Sequence, residues 1–345
     1  MTLDTSTLGT AVEVTEIARE LKKLWSADET RTRASLINFV IVCEGTEAMN
    51  ANTELLEHIT RDHACRALLI GVDADASVTK VQAWVNAHCY LPKAGAKHVC
   101  SEQISLLLPA SQRSLLPNLL FTHLESDLPL TLWWQCKCPN PPDAELWRWV
   151  DRLVFDSRTW ATPKSEFELL HRSVTTGRTV LCDLNWTRTL HLRQSLAQLF
   201  DQPEQLAVLE NTTALSIRHA AGSLSTALFL TSWLAGQLGW NLKTSSHTRI
   251  VFEKGGRDVV CELQAGDGSA ISEVKLQSTA GAVNVLRQRD SKYLHAEVTT
   301  PDHPPTRLLM PADCDDMTSL IDEELSLGGR RRVYTKMLKV AGALY

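Results

Sequence analysis

Residues 36–42 read LINFVIV, and that stretch decides the fold class. An apolar run of this length suits a strand covered on both faces, as in a parallel sheet between helix layers. The segments around it agree. Residues 13–25 put Val14, Ile17, Ala18, Leu21 and Leu24 on one helical face. Residues 48–60 read as a helix, and residues 66–71 (RALLIG) as a second buried strand. Residues 77–91 and 97–108 alternate, and the turn residues at 92–95 join them as a hairpin. Further strands are expected at 131–134, 153–156 and 179–183, and helices at 111–124, 144–150, 165–173 and 187–200. Strands alternating with helices imply an α/β domain with a mainly parallel sheet flanked by helices.

The second half has a different pattern. Residues 223–238 form an amphipathic helix with Gly239 placed as its C-cap. Five alternating segments then start near Thr248, Asp258, Ser272, Val283 and Tyr293, as in an antiparallel meander. Two helices follow at 315–327 and 332–344. Asp315 and Asp316 suit the start of the first, and Arg330, Arg331 and Arg332 open the second. Pro203 and the polar run at 201–211 mark the boundary. The expected plan is therefore an α/β domain over 1–205 and an α+β domain over 206–345.

Composition narrows the function. The 345 residues carry 35 Lys and Arg against 40 Asp and Glu, a net charge of -5, which disfavours a nucleic-acid binder. The most apolar long segment, 224–238, is too short for a membrane helix, so no membrane partner is expected. The start, MTLDTSTLGT, lacks the basic and apolar pattern of a secretory signal. The nine cysteines are accordingly expected as thiols in a reducing cytoplasm. No GxGxxG, P-loop, HExxH or GxSxG motif occurs, so no cofactor, metal or catalytic residue is assigned.

Three groups of residues carry what chemistry there is. Cys136-x-Cys138 lacks the second pair that a zinc site needs, leaving a redox dithiol or two ordinary cysteines. His88-Cys89 and His98-x-Cys100 flank the hairpin turn, where strand pairing lets at most one residue of each group meet. His63-Ala64-Cys65-Arg66 reads either as a polar cluster at the sheet edge or as a helix end with Cys65 packed.

The residues at 183–188, DLNWTR, follow a strand and open a helix, the position of functional loops in open α/β sheets. Asn185 or Thr187 suits a cap, and Trp186 and Arg188 are the types enriched in binding hot spots. Six of the ten Trp fall between Trp133 and Trp186. Trp133, Trp134, Asp183, Asn185, Trp186 and Arg188 are taken as partner-binding residues at or near the surface, with Trp147, Trp149 and Trp160 as core.

Pieces spread over the chain carry a family resemblance: NFVIV at 38–42, HACR at 63–66, SEQISL at 101–106, DLPLTLWW at 127–134, RLVFDS at 152–157, DLNWTR at 183–188, LFDQPE at 199–204 and ALFLTSWLAGQLGW at 227–240. In these pieces the chain resembles the glucose-6-phosphate dehydrogenase assembly proteins of the OpcA type. The resemblance implies a non-enzymatic assembly factor or allosteric activator. Its partner would be glucose-6-phosphate dehydrogenase, in NADPH production by the oxidative pentose phosphate pathway. It transfers no catalytic residue. In photosynthetic relatives the activity is tied to thiol redox state, and here only Cys136 and Cys138 offer a pair. The alternative is a sensor or enzyme binding a sugar phosphate or nucleotide in the α/β crevice near residues 183–188. A helix N-terminus after Arg188 would take the anion.

Overall fold

The computed structural model describes the chain except for residues 1–3, 27–30, 75–76, 92–97, 138–143, 175–178, 202, 247 and 329–331. The expected turn at 92–95, Cys138, Arg330 and Arg331 lie outside the described residues. The fold is mixed α/β with two sheets, and the chain divides into two compact units. The first takes Met1–Phe155, Ser165–Cys182 and Ile321–Gly328. The second takes Asp156–Lys164, Asp183–Leu320 and Gly329–Tyr345. Both units are discontinuous in sequence, unlike the single change near residue 205 expected from composition.

In chain order the first half holds β1 (Thr10–Val12), α1 (Ile17–Ser26), β2 (Arg31–Arg33), β3 (Ile37–Glu44), α2 (Gly45–Asp62) and β4 (Cys65–Asp73). Then come β5 (Gln82–Tyr90), β6 (His98–Pro109), α3 (Leu116–His123), β7 (Leu130–Trp134), α4 (Ala144–Arg148), β8 (Arg152–Phe155), α5 (Pro163–Val174) and β9 (Val180–Asp183). The nine-stranded sheet has the order β1-β5-β6-β4-β3-β7-β8-β9, with β2 beside β6. From β6 through β8 it is parallel. At the other end β5 runs antiparallel to both β6 and β1, so the sheet is mixed. The opening stretch is the central strand β3, whose Asn38–Cys43 are all buried, and α2 lies close on β4. Gly71 permits that approach, because a Cβ there would sit 2.3 Å from the Met49 sulfur.

Register places Cys89 opposite Cys100 on β5 and β6, and a disulfide joins them. This corrects the expectation that every cysteine is a thiol. Strand alternation let one residue of each group meet, as expected, while His88 faces Ser101. His63 ends α2 through its backbone N–H to the Ile59 carbonyl, and Cys65 is buried. Arg66 pairs with Glu102 and Glu125. Both readings of that turn are thus present.

The second half opens with α6 (Leu184–Thr187), α7 (Leu190–Gln198) and α8 (Pro203–Glu210). Two findings differ from the sequence reading. The helix expected at 187–200 starts later, as α7 at Leu190, with the short α6 before it, and the expected linker is α8, with Pro203 at its first position, where a missing N–H costs nothing. Then follow β10 (Thr212–Ala220), α9 (Leu224–Leu238), β11 (Asn241–Ser245), β12 (Arg249–Lys254), β13 (Arg257–Gly266), β14 (Ile271–Ser278), β15 (Gly281–Arg287), β16 (Tyr293–Thr300), β17 (His303–Pro311), α10 (Met317–Ser326) and α11 (Arg332–Ala341).

The eight-stranded sheet has the order β11-β12-β13-β10-β14-β15-β16-β17. The five expected meander strands are β12 to β16, while β10, β11 and β17 were not foreseen. Strand β10 enters the middle of the sheet and pairs parallel with β13, so this sheet too is mixed. Its inward residues (Leu215, Ile217, Phe252, Cys261, Val274, Val285 and Ala296 among them) are buried with α9 residues in one core. Helix α9 ends as expected, at Gly239 with φ 69° and ψ 35°.

Candidate functional site

An open α/β sheet offers a ligand crevice where strand order reverses, at the carboxyl ends of the strands. Here that point lies between β3 and β7, since β4 lies on the other side of β3. The chain fills it with its own side chains. Asn52 and Gln135 exchange amide hydrogen bonds of 2.9 and 2.8 Å. The Gln135 N–H and the Cys136 thiol both donate to the Val42 carbonyl. Trp134 packs on Trp147 at 5.5 Å, and its indole N–H donates to the Lys137 carbonyl. The helix that starts there, α2, carries Glu47 in its first turn just after Glu44, a poor setting for a phosphate.

Strand β7 has neighbours on both sides and helices nearby in sequence, so Trp133 and Trp134 are 3% and 5% exposed. Trp133 stacks on Phe39. Cys136 is buried, and burial first, then the charge of Glu44, pushes its thiol up to about 12. The thiolate that redox exchange requires is therefore scarce at this position.

The DLNWTR segment builds a polar hub in the second unit. Asp183 is the N-cap of α6 and accepts from the N–H of Asn185 at 3.0 Å and of Ser157 at 3.1 Å. It also accepts from the Tyr334 hydroxyl at 2.9 Å. Burial raises its carboxyl to about 7 and the Asp156 charge adds to this, while the bonds from Ser157 and Tyr334 oppose it. Asn185 donates to the hydroxyls of Ser157 and Ser225 and accepts from that of Thr226. Arg188 forks onto both Asp156 oxygens at 2.8 Å and reaches Asp315 at 2.6 Å. Arg158 holds Asp315 from outside. Trp186 lies between Tyr334, 5.7 Å away, and the Arg193 guanidinium, 3.3 Å over its ring.

This placement corrects the expectation of surface residues. Asp183, Asn185, Trp186 and Arg188 are all at most 5% exposed, because each is a connector inside a core rather than a contact on it. The tryptophan split is also corrected. Trp147 is buried as expected and Trp160 half-buried, but Trp149, just after α4, is 64% exposed and makes an edge contact to Phe121.

The anion reading of the helix after Arg188 meets a concrete occupant. The N–H groups of His191 and Leu192, at the start of α7, donate to the two Asp313 oxygens at 2.7 and 3.0 Å. The chain's own carboxylate thus takes the place a phosphate would need. Burial raises Asp313 to about 6, against the pull of these two bonds. Asp156 and Tyr334 are members that sequence reading did not single out, and Asp313 was read only as one of the acids before a helix. The acidic run at 313–316 carried a signal, but Asp315 pairs with arginines while only Asp316 caps α10, through the Ser319 N–H. Among the described residues no group of three or more His, Cys, Asp or Glu is arranged to hold a metal. Among the same residues, no helix is long and apolar enough to cross a membrane.

Residues 56–172 match a family described as the glucose-6-phosphate dehydrogenase subunit N-terminal domain, and residues 179–338 match its C-terminal domain. A curated relative from Synechocystis sp., named as an OxPP cycle protein, OpcA, is 24% identical over 206 residues. That stretch is 58% of this chain and 42% of the relative, so the chain spans less than half of the relative's length. Solved structures of similar outline include levoglucosan dehydrogenase with NADH, at 10% identity and TM-score 0.49 over 90% of this chain and 94% of that one. Another is an aldose-aldose oxidoreductase from Caulobacter crescentus, also 10% identical with TM-score 0.49, over 90% and 96%. Likeness at this level assigns neither cofactor nor reaction.

Proposed function

Because this chain belongs to the OpcA-type glucose-6-phosphate dehydrogenase assembly protein family, we propose that it is a non-enzymatic assembly factor and allosteric activator of that dehydrogenase. It would act in the cytoplasm, in the oxidative pentose phosphate pathway. The observation that carries this reading is the match to both domains of the family in their proper order. Two features of the geometry support it. The crevice between β3 and β7 is filled by Asn52, Gln135 and Trp134, and the N-terminus of α7 is taken by Asp313. Each weakens the alternative of a sugar-phosphate or nucleotide sensor.

The physical basis is linkage. A partner that binds one state of the dehydrogenase better than another shifts the enzyme toward that state. A coupling of ~1–3 kcal/mol changes apparent affinity roughly 5–150-fold. In this scheme Trp186 and Arg188 act indirectly, by fixing the second unit's core, and do not touch the partner. The test titrates the chain into purified dehydrogenase and follows KM for glucose 6-phosphate and the enzyme's oligomeric state. A shift in either is expected. No change in either at saturating chain overturns the reading.

A further inference from the structure

Helix α11 carries a cationic stripe with no counter-charge among the described residues. At 3.6 residues per turn, Arg332, Lys336 and Lys339 fall within about 60° of one another around the helix. All three are exposed. Tyr334, Met337 and Ala341 fall on the opposite side and are buried. That side packs on α9, where Tyr334 meets Phe229 edge to face at 6.3 Å. Helix α9 carries no charged side chain from Leu224 to Leu238. Residues 328–345 hold five of the chain's 35 Lys and Arg and none of its 40 Asp and Glu. Among the described residues none of the three stripe cations forms an ion pair.

The stripe works against the helix that bears it. Arg332 opens α11, the end at which a helix dipole disfavours a cation. Arg332 and Lys336 stand four residues apart and Lys336 and Lys339 three apart, and like charges at these spacings destabilise a helix. A local cost with no local gain is relieved when anionic groups from outside the chain cover the stripe.

We propose that this stripe is the contact through which an acidic surface of glucose-6-phosphate dehydrogenase docks. The inference rests on the proposed function and adds to it the site and chemistry of contact. At 1.5 Å per residue the three cations span about 10 Å, so partner carboxylates about one helical turn apart would match them.

Charge and packing select a protein as the occupant. Residues 1–327 carry 30 of the Lys and Arg against all 40 Asp and Glu, a net of -10. A long polyanion such as a nucleic acid would meet that repulsion beyond the stripe, and three cations fall short of the roughly 6–10 phosphate contacts such binding uses. A helix that lies on a lipid surface sinks its apolar side into it. Here that side is committed to the core, and Val333, 47% exposed, is what remains for insertion. Two copies meeting across a two-fold axis through α11 would set the stripe against itself. A protein partner needs a local acidic patch alone, and the family's own description ties this chain to the dehydrogenase.

The experiment measures binding to purified dehydrogenase by sedimentation velocity for wild type and three double variants, with thermal melts as the folding control. Lys336→Glu/Lys339→Glu reverses the stripe, and Lys336→Arg/Lys339→Arg keeps its charge. Lys22→Glu/Lys80→Glu makes the same change in net charge at exposed positions elsewhere. At least tenfold weaker binding is expected for the reversed stripe, and wild-type affinity for the other two. Wild-type binding should weaken as salt is raised. In the wild-type complex Lys336 and Lys339 should lose reactivity toward an amine label while Lys22 keeps it, and this readout decides the matter if the reversed variant fails to fold. Wild-type affinity in the folded reversed variant, an equal loss in the Lys22/Lys80 variant, or unprotected Lys336 and Lys339 overturns the docking site while leaving the assembly role intact. If reversal instead abolishes binding to phosphatidylserine vesicles, or self-association, and leaves dehydrogenase binding unchanged, the stripe belongs to a membrane or to a second copy, which also refutes the proposal. A wild-type chain that binds no dehydrogenase overturns the assembly role and the docking site together.

Discussion

Replacing Arg188 separates a partner-contact residue from a structural one. Its side chain is fully buried, and Asp156, whose two oxygens it holds, is itself 11% exposed. Arg188→Ala leaves that carboxylate buried, with the Arg158 backbone N–H as its remaining partner among the described residues. Breaking a buried ion pair from one side costs about 3–5 kcal/mol, mostly as the penalty on the abandoned charge. The bond to Asp315 adds little, ~0–1 kcal/mol, because Asp315 is 42% exposed and keeps Arg158. At about 2–4 °C per kcal/mol for a unit of this size, melting should fall by about 6–20 °C. Thermal melts by circular dichroism measure it. Adding Asp156→Ala should restore part of the loss, with a coupling of about 0.5–3 kcal/mol between the two sites. If Arg188→Ala melts within 2 °C of wild type (about one kcal/mol) yet loses dehydrogenase binding, the reasoning fails. Arg188 would then be the surface contact that its residue type suggested.

Asp183→Asn should flatten the pH dependence of stability. A carboxyl near 7 in the folded chain and about 3.9 unfolded binds more protons when folded, so stability falls as pH rises from about 4 to about 7. The asparagine variant should melt no lower than wild type at pH 8, and an unchanged slope would show that Asp183 does not titrate this way. Native thiol labelling should modify exposed Cys314 first and spare buried Cys136, whose thiol is pushed to about 12. Rapid labelling of Cys136 would revive the dithiol reading. Peptide mapping without reductant should recover Cys89 linked to Cys100, and two free thiols there would contradict the register. Gly239→Ala should cost ~1 kcal/mol by chemical denaturation, since its φ of 69° is left-handed and open space surrounds the missing Cβ. A neutral result would mean that α9 ends differently.

Local pattern was enough to find most of the elements. Residues 38–42 of the apolar run are buried in the central strand β3, a strand flanked on both sides, while Leu36 stands 71% exposed just before it. The same logic located β4, β7, β8 and β9, the five strands β12 to β16, and the end of α9 at Gly239. It failed where a residue's meaning depends on what lies far along the chain. Pro203 read as a break because proline stops helices, yet at a first helical position it starts one. Strand β10 alternates in plain view, but its parallel pairing with β13 across an intervening helix and two strands is a tertiary fact.

The candidate site shows the same division. Residue types at 183–188 suggested a partner-binding surface, whereas the segment is buried in a polar hub. Whether Trp186 and Arg188 face solvent was decided by Asp156, Tyr334 and Asp315, which lie 30 to 148 residues away along the chain. Trp149 shows the converse, a large apolar residue just after a short helix that stands 64% exposed. What the sequence determined by itself was each segment's propensity, its apolar period and its family. The tertiary structure alone decided exposure, because burial depends on which distant groups converge on a side chain and on nothing in the side chain itself.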